Sequence, residues 1–108
     1  AQNAHAIAVR DTYPVSTGHT LVIPRQHVAD ITELPSEAYD ACFQLVRQTI
    51  ETLKTESSSD GFNIGVNIGA AAGQTVFHAH IHVIPRYSGD VDKPRGGVRC
   101  VIPDKQSY

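Results

Sequence analysis

The chain has 108 residues and a formal net charge of −2, with nine Lys and Arg side chains against eleven Asp and Glu. A chain of this length forms one domain with a single hydrophobic core, and the near balance of charge excludes bulk attraction to nucleic acid or anionic lipid. Its two cysteines, Cys42 and Cys100, form no C-x-x-C pair, which excludes a disulfide framework and a zinc finger.

The charge is unevenly placed along the chain. The excess of acidic side chains lies in residues 1–85, whereas residues 86–108 carry a net positive charge. No apolar run reaches the length of a membrane span, and no signal peptide is recognisable, so we expect a cytoplasmic protein. The missing initiator methionine indicates that the sequence begins inside a longer chain.

The first predicted element is a β-hairpin with a long connection. Residues 4–10 are apolar enough to form a strand, residues 11–14 form a turn, and the β-branched run 20–23 predicts the second strand. Asp11 therefore lies at the end of a strand. A carboxylate there is most often a solvated turn residue, but the position also fits a hydrogen bond to a sugar hydroxyl, and both interpretations stay open.

A long helix is predicted to start within residues 34–37, with Ser36 as its N-cap and acidic residues in its first turn, and to run to about Glu56. Apolar residues recur in it at three- and four-residue spacing, which gives one stripe that packs on a sheet. This stripe consists of Cys42, Leu45, Val46, Thr49, Ile50 and Leu53. Cys42 is therefore predicted to be a core residue.

Residues 62–69 alternate between apolar side chains and Asn or Gly, which predicts a half-buried strand. Gly65 and Gly69 remove side chains from its polar face, as expected where a ligand or another backbone comes close. Asn67 projects between the two glycines and is a candidate ligand contact.

A loop of small residues, 69–75, joins this strand to the next one, most simply as an antiparallel partner. Small side chains leave the backbone amides of the loop accessible to phosphate oxygens, and Thr75 adds a hydroxyl. A phosphate-binding role for this loop is favoured because the loop leads directly into a cluster of histidines.

Three of the six histidines, His78, His80 and His82, lie within residues 74–86. Alternate side chains of a strand share a face, so the three imidazoles should form a row with neighbouring rings roughly 7 Å apart. The residues between and beside them should point into the core: Phe77, Ala79, Ile81 and Val83. This spacing suits a polyanion such as a chain of phosphates. Metal ligation and a solvated polar face are the alternatives; a tetrahedral site rarely takes a third ligand in line, and Thr, Lys or Ser would serve a polar surface better.

These residues resemble the histidine triad (HIT) superfamily of nucleotide hydrolases and transferases, whose signature is H-x-H-x-H followed by apolar residues. The resemblance implies an α+β fold: an antiparallel sheet of about five strands with one long helix, forming a single HIT domain over residues 1–108 that pairs into a homodimer. It extends over almost the whole chain, through residues 11–14, 18–24, 67, 73–75, 78–82 and 95–99.

By this resemblance, His80 attacks the α-phosphorus of a bound purine nucleotide derivative and forms a nucleotidyl-histidine intermediate, which water then hydrolyses. His82 would hold phosphate oxygens, and His78 would support the geometry of the strand. The resemblance also implies a set of substrate contacts. Val9 and Thr12 flank the base, Asp11 accepts from the ribose hydroxyls, and Asn67, Gly73, Gln74 and Thr75 contact the phosphates and leaving group.

The subfamily signature is mixed. Pro85-Arg86 resembles the dinucleoside-polyphosphate hydrolases of the fragile-histidine-triad type, whereas Asp11 and Asn67 resemble the Hint branch of phosphoramidate hydrolases. Many bacterial members also bind zinc through a C-x-x-C pair and histidines that correspond to His27 and His78, and this chain lacks the cysteine pair. We therefore expect no metal and no tightly bound cofactor, with magnesium accompanying polyphosphate substrates.

The predicted function is thus a HIT-type nucleotidyl hydrolase acting on phosphoanhydride or phosphoramidate bonds. Two alternatives remain from other classes: a metal-dependent enzyme that uses the three histidines as ligands, and a nucleotide-binding partner protein without significant turnover. Apart from the nucleotide substrate and a second copy of the chain, we expect no nucleic-acid or membrane partner.

Overall fold

Four antiparallel strands form one sheet, and a single long helix packs on one of its faces in this computed structural model, which describes residues 1–108. The strands are arranged in the order β1-β2-β4-β3. The bounds of the elements are β1 Ala6–Arg10, β2 Thr20–Pro24, α1 Ser36–Glu56, β3 Gly61–Gly65 and β4 Ile81–Arg86. Short 3-10 helices occupy Ile31–Glu33, Ala70–Ala72, Gly97–Val101 and Pro103–Lys105.

The predicted apolar stripe of α1 is confirmed as the helix side of the core. Five of its members are buried (Cys42, Leu45, Val46, Thr49 and Leu53), and Ile50 is half-buried. They face Val22 on β2 and Ile81 and Val83 on β4, each 0% exposed. Because side chains alternate along a strand, the neighbours of these residues point to the opposite face, which α1 does not cover. No helix in the fold combines the length and apolar character needed to cross a membrane.

The predicted cap of α1 is wrong. Pro35 occupies the N-cap position, no side chain caps the helix, and Ser36 is already its first residue. Proline is tolerated at a helix start because the amide hydrogen it lacks would have no partner there.

The expected count of about five strands is not confirmed, since the sheet has four. The outer edge of β1 carries only an isolated bridge between Gln2 and Ile7. The Oδ1 of Asn3 accepts hydrogen bonds from the amides of His5 and Ala6, and this local turn starts β1 at Ala6 rather than at residue 4. At the other end of the chain, a segment rich in Gly and Pro forms 3-10 helices instead of another strand.

Two strands are shorter than predicted. β3 ends at Gly65, which pairs with His82. Only one residue of β4, Ile81, lies beyond this pair, so β4 offers no further partner. The chain then turns away before Gly69, whose φ is +90°. β4 begins at Ile81, so His78 and His80 precede the strand. The amide of Ala79 donates instead to the carbonyl of Val28 at 2.7 Å, which holds this segment against the connection after β2.

The segment after β4, residues 90–108 (the tail), folds on itself and against β3. Gly96 has a φ of +93°, and a Cβ built on it would lie 1.8 Å from the carbonyl oxygen of Gln106, so only glycine fits there. The guanidinium carbons of Arg95 and Arg99 lie 5.0 and 4.9 Å from the ring centroid of Tyr108. These contacts give the tail a defined shape beside the sheet edge.

Candidate active site

One row of residues crosses the sheet on the face that α1 leaves open. The strand register pairs Val9 with Leu21, Leu21 with His82, and His82 with Gly65. Paired residues in an antiparallel sheet point to the same face, with Cβ atoms roughly 4.5–5.5 Å apart. His82 is therefore flanked by apolar side chains on the β1 and β2 side and by a glycine on the β3 side.

His19, to which the sequence assigned no role, is buried directly behind His82. Its Nδ1 accepts a hydrogen bond from the amide of Val15 at 3.1 Å, and its Nε2 lies 3.0 Å from Nδ1 of His82. A backbone amide can only donate, so in a neutral His19 the proton is on Nε2, which donates to Nδ1 of His82. A neutral His82 then carries its own proton on Nε2.

Burial keeps both of these imidazoles neutral. Desolvation lowers the pKa of His19 despite the carboxylate of Asp11, whose Oδ2 lies 3.4 Å from Nε2 of His19. Desolvation also lowers the pKa of His82, with further lowering by the nearby His80 and His19 and an opposing effect of Asp11. At neutral pH, the Nε2–H of His82 is therefore an uncharged hydrogen-bond donor held in one orientation.

His80 shows the opposite arrangement of its two ring nitrogens. Its Nδ1 lies 2.9 Å from the carbonyl oxygen of His78. A carbonyl can only accept, so Nδ1 carries the proton and the lone pair of the neutral ring is on Nε2. The rings of His80 and His82 meet edge to face with centroids 5.1 Å apart, closer than the predicted 7 Å because His80 lies before the strand.

The third member of the triad, His78, is turned toward β2 and the connection after it. Its Nε2 donates to the carbonyl of Pro24 at 2.8 Å, and its Nδ1 lies 2.8 Å from Nδ1 of His27. Of the three histidines predicted to form a row, His80 and His82 therefore lie together in the site, whereas His78 holds the segment before β4 in place.

Gln74 also braces the loop. It is 4% exposed, its Nε2 donates to the carbonyls of Ala29 and Val76, and its Oε1 accepts from the amide of Gly69. Because all of these polar groups are engaged, the side chain is not free for the predicted leaving-group contact.

The other predicted substrate contacts are accessible. Gly73 and Thr75 lie exposed in the loop before the triad, Asn67 is exposed after the end of β3, and Thr12 is exposed after β1. Val9 is 39% exposed beside Leu21. The structure therefore leaves these residues available for contact while Gln74 holds their loop.

Asp11 lies in the expected turn, and its carboxylate also faces the buried histidine pair. Its Oδ1 accepts from the amide of Tyr13 at 2.9 Å, which forms the expected turn. Its other oxygen faces His19, and the side chain is only 17% exposed. Asp11 is thus a turn residue whose carboxylate also borders the histidine pair.

An apolar cavity of about 340 Å³ lies beside His80 on the β2 side of the site. It is lined by Leu21, Ile23, Val76, His78 and His80. Its size and apolar character suit a planar base or a similar group.

The zinc site that the resemblance describes has only part of its ligands here. His27 and His78 face each other, but no cysteine or carboxylate joins them in a three-ligand group. Cys42 is in the core and Cys100 is exposed in the tail. A structural zinc takes four ligands, so these residues do not make up such a site.

The comparisons with known proteins show the family. The sequence profile of the HIT domain matches residues 1–89. An uncharacterized HIT-like protein of Mycoplasma genitalium is 43% identical over 86 residues, which are 80% of this chain and 61% of that protein. A solved structure of a HIT family protein from Bacillus anthracis superimposes with a TM-score of 0.77 at 42% identity, covering 86% of this chain and 70% of that one.

The chain therefore belongs to the HIT family, as the resemblance predicted. It spans about three fifths of the length of the Mycoplasma relative, and the tail lies outside the matched profile. An adenylylsulfatase, HINT3 of Arabidopsis thaliana, is 42% identical over 84 residues, which are 78% of this chain and 43% of that protein.

Proposed function

We propose that this chain cleaves purine nucleotide derivatives at the α-phosphate through a covalent nucleotidyl-histidine on His80. The observation that carries the proposal is the complementary protonation of two adjacent imidazoles. His80 presents a lone pair on Nε2 because Nδ1 donates to a carbonyl, and His82 presents a proton on Nε2 because Nδ1 accepts from His19. A nucleophile and a hydrogen-bond donor thus lie side by side.

In the first step, Nε2 of His80 attacks the α-phosphorus, a P–N bond forms, and the leaving group departs with the electrons of the bond that breaks. His82 donates its Nε2–H to a phosphate oxygen and stabilises the charge that develops there. In the second step, water attacks the same phosphorus and gives up a proton to the solvent, the P–N bond breaks with its electrons going to Nε2, and the mononucleotide leaves His80 with its lone pair restored.

The surrounding residues position the substrate in this proposal. The base occupies the apolar cavity beside His80, and Val9, which pairs with the lining residue Leu21, and Thr12 are the residues that the resemblance assigns to its flanks. Asp11 accepts hydrogen bonds from the ribose hydroxyls. Asn67, Gly73 and Thr75 contact the phosphates from the exposed loop and strand end, and His78 and Gln74 keep that loop in place.

The relative named as an adenylylsulfatase supports this chemistry, since that name describes hydrolysis of an adenylyl compound. The test is a panel of adenosine phosphoramidate, diadenosine triphosphate and diadenosine tetraphosphate, with AMP release measured for the wild type and His80→Ala. Release by the wild type and loss of release in the variant would support the proposal. Tight AMP binding without product from any substrate would instead indicate a nucleotide-binding protein without turnover.

One observation favours a second candidate, a metal-dependent enzyme. Ligand atoms of Asp11, His19 and His82 all lie within 4.8 Å of one another, and three protein ligands are typical of a catalytic zinc. We nevertheless predict activity without metal in the histidine site, because a neutral His80 needs none to act as a nucleophile. Loss of phosphoramidate hydrolysis in EDTA with recovery on zinc addition, together with stoichiometric zinc in the purified protein, would establish the second candidate.

A further inference from the structure

The turn that precedes His19 is fastened to β4, the strand that carries His82. Ser16 lies in this turn and is half-buried, and its hydroxyl donates to the carbonyl oxygen of Pro85 at 2.7 Å. Pro85 follows His82 by three residues on β4. β2 begins only at Thr20, whose partner on β4 precedes Pro85, so no amide of β2 reaches this carbonyl. The hydroxyl of Ser16 takes the place of that missing donor.

The backbone around Ser16 holds His19 as well. The carbonyl of Ser16 accepts from the amide of His19 at 3.1 Å, and Gly18 between them has a φ of +91°, as in a type II turn. A Cβ built on Gly18 would lie 3.2 Å from Cγ of Pro85, so the turn packs directly against this proline. Val15, directly before Ser16, donates its amide to Nδ1 of His19 at 3.1 Å. The position of this amide therefore depends on the anchored residue next to it.

We propose that Ser16 is a positioning residue that keeps the phosphate-facing nitrogen of His82 protonated. The inference rests on the proposed function and deepens it. The hydroxyl of Ser16 anchors the amide of Val15, and that amide fixes the tautomer of His19. His19 in turn fixes the tautomer of His82. These contacts form a closed loop, because they start on β4 at Pro85 and end on β4 at His82.

The tautomer of His19 decides whether His82 donates or accepts toward the substrate. With its proton on Nε2, His19 donates to Nδ1 of His82, whose own proton is then on Nε2. If the amide of Val15 moves away, Nδ1 of His19 is free to take the proton, and its Nε2 then accepts from Nδ1 of His82. His82 would then present a lone pair, which repels phosphate oxygens instead of stabilising their charge.

Two other contacts limit the effect of losing the Ser16 hydroxyl. Oδ2 of Asp11 lies 3.4 Å from Nε2 of His19 and favours the same tautomer, although at a longer distance than the amide of Val15. The hydroxyl of Tyr87 donates to the carbonyl of Thr17 at 2.7 Å and is a second anchor of the turn. Removing the hydroxyl of Ser16 should therefore cause a partial loss of activity.

The first test compares two hydroxyls that make the same kind of bond. Ser16→Ala should lower kcat for adenosine phosphoramidate roughly fivefold to tenfold, the effect of losing one hydrogen bond, while KM changes about twofold or less. Ser16→Thr keeps the hydroxyl and should recover most of the activity. Ser57→Ala is the matched control and should leave kcat unchanged, since this half-buried hydroxyl also donates to a backbone carbonyl, that of Leu53 at 2.8 Å, but at the end of α1. The double variant Ser16→Ala, Tyr87→Phe releases both anchors and should lower kcat further.

The second test measures the tautomer directly and needs no substrate. In NMR spectra of protein with isotope-labelled histidine, the shifts of the two ring nitrogens of His82 should lie far apart at neutral pH. They should approach each other in Ser16→Ala, because the second tautomer becomes populated. Circular dichroism confirms the fold of each variant.

An unchanged tautomer of His82, or an unchanged kcat, in the folded double variant overturns the inference, as does an equal loss of kcat in Ser57→Ala. A wild type that cleaves no substrate, combined with the expected change of tautomer in Ser16→Ala, would overturn the proposed function alone.

Discussion

His19 and His82 are joined by a hydrogen bond of 3.0 Å between Nε2 of the first and Nδ1 of the second, although 63 positions separate them in the sequence. His19 is 3% exposed, so it cannot act on a substrate directly. Its role in the proposed reaction is to fix which nitrogen of His82 carries the proton.

Replacing His19 with Ala should lower kcat roughly a hundredfold while AMP affinity changes little, because His82 loses the group that sets its tautomer. The acid limb of the pH profile should also move to higher pH, since His19 is one of the groups that lower the pKa of His82. His19→Gln retains an amide donor and should recover part of the activity. His5→Gln, at a half-buried histidine outside the site, serves as the control. Equal losses in KM and kcat without a shifted pH profile would argue against a positioning role.

Acidification should destabilise the fold. The pKa values of His19 and His82 are lowered in the folded chain, chiefly by burial, from an ordinary value of 6.5. The unfolded chain therefore binds protons at a higher pH than the folded one. The contribution of the two neutral histidines to the unfolding free energy is therefore complete above about pH 6.5, and it falls as the pH drops from there toward their lowered pKa values in the folded chain. Urea unfolding at about pH 7.5 and 5 should show a lower midpoint at the acidic pH. An equal or higher midpoint would contradict the neutral, buried state of the pair.

Gln74 should stabilise the fold, although its place beside the triad suggests a role in substrate binding. Removing its three hydrogen bonds through Gln74→Ala leaves the amide of Gly69 and the carbonyls of Ala29 and Val76 without these partners, which should cost about 1–3 kcal/mol of unfolding free energy. Gln48→Ala, at an exposed position of α1, should stay within about 0.5 kcal/mol of the wild type. Similar unfolding curves for the two variants would refute this role.

The protein should form a two-fold homodimer. β3 is an edge strand, and large apolar side chains stay partly exposed at Ile64 on β3 and at Tyr39 and Phe43 on α1. Such surfaces are usually covered by a partner, and a second copy of the chain is the simplest one. Light scattering at micromolar concentration should give twice the chain mass, whereas a stable mass near 11.7 kDa would refute the dimer.

The sequence predicted the elements whose signal is local. The long helix and its end near Glu56 were predicted correctly, because an apolar stripe repeats along it, whereas the cap at Ser36 was not. The predicted alternation correctly placed Ala79, Ile81 and Val83 in the core, but Phe77, which it also placed there, is 51% exposed because the strand itself begins only at Ile81. Strand ends were less predictable, since they depend on which partner residues are left to pair.

The contacts that organise the site could not be predicted from spacing. The bonds between His19 and His82 and between His27 and His78 join residues 63 and 51 positions apart. The family resemblance implied that Gln74 contacts the phosphates and leaving group, and only the packing shows that its amide faces inward. The fixed tautomers follow from these tertiary contacts, so they were not available from the sequence.

The proposed mechanism requires His80 to form a covalent bond to the substrate phosphorus. Wild-type protein mixed with adenine-labelled adenosine phosphoramidate and quenched in alkaline denaturant should carry one nucleotidyl group, which mass spectrometry of the peptide containing His80 would locate. The label should be lost in acid, as expected of a P–N bond, and His80→Ala should carry none while still binding AMP within about tenfold of the wild type. A wild type that turns over without ever carrying label, or a His80→Ala variant that keeps substantial activity, would contradict the double displacement and indicate direct attack by water.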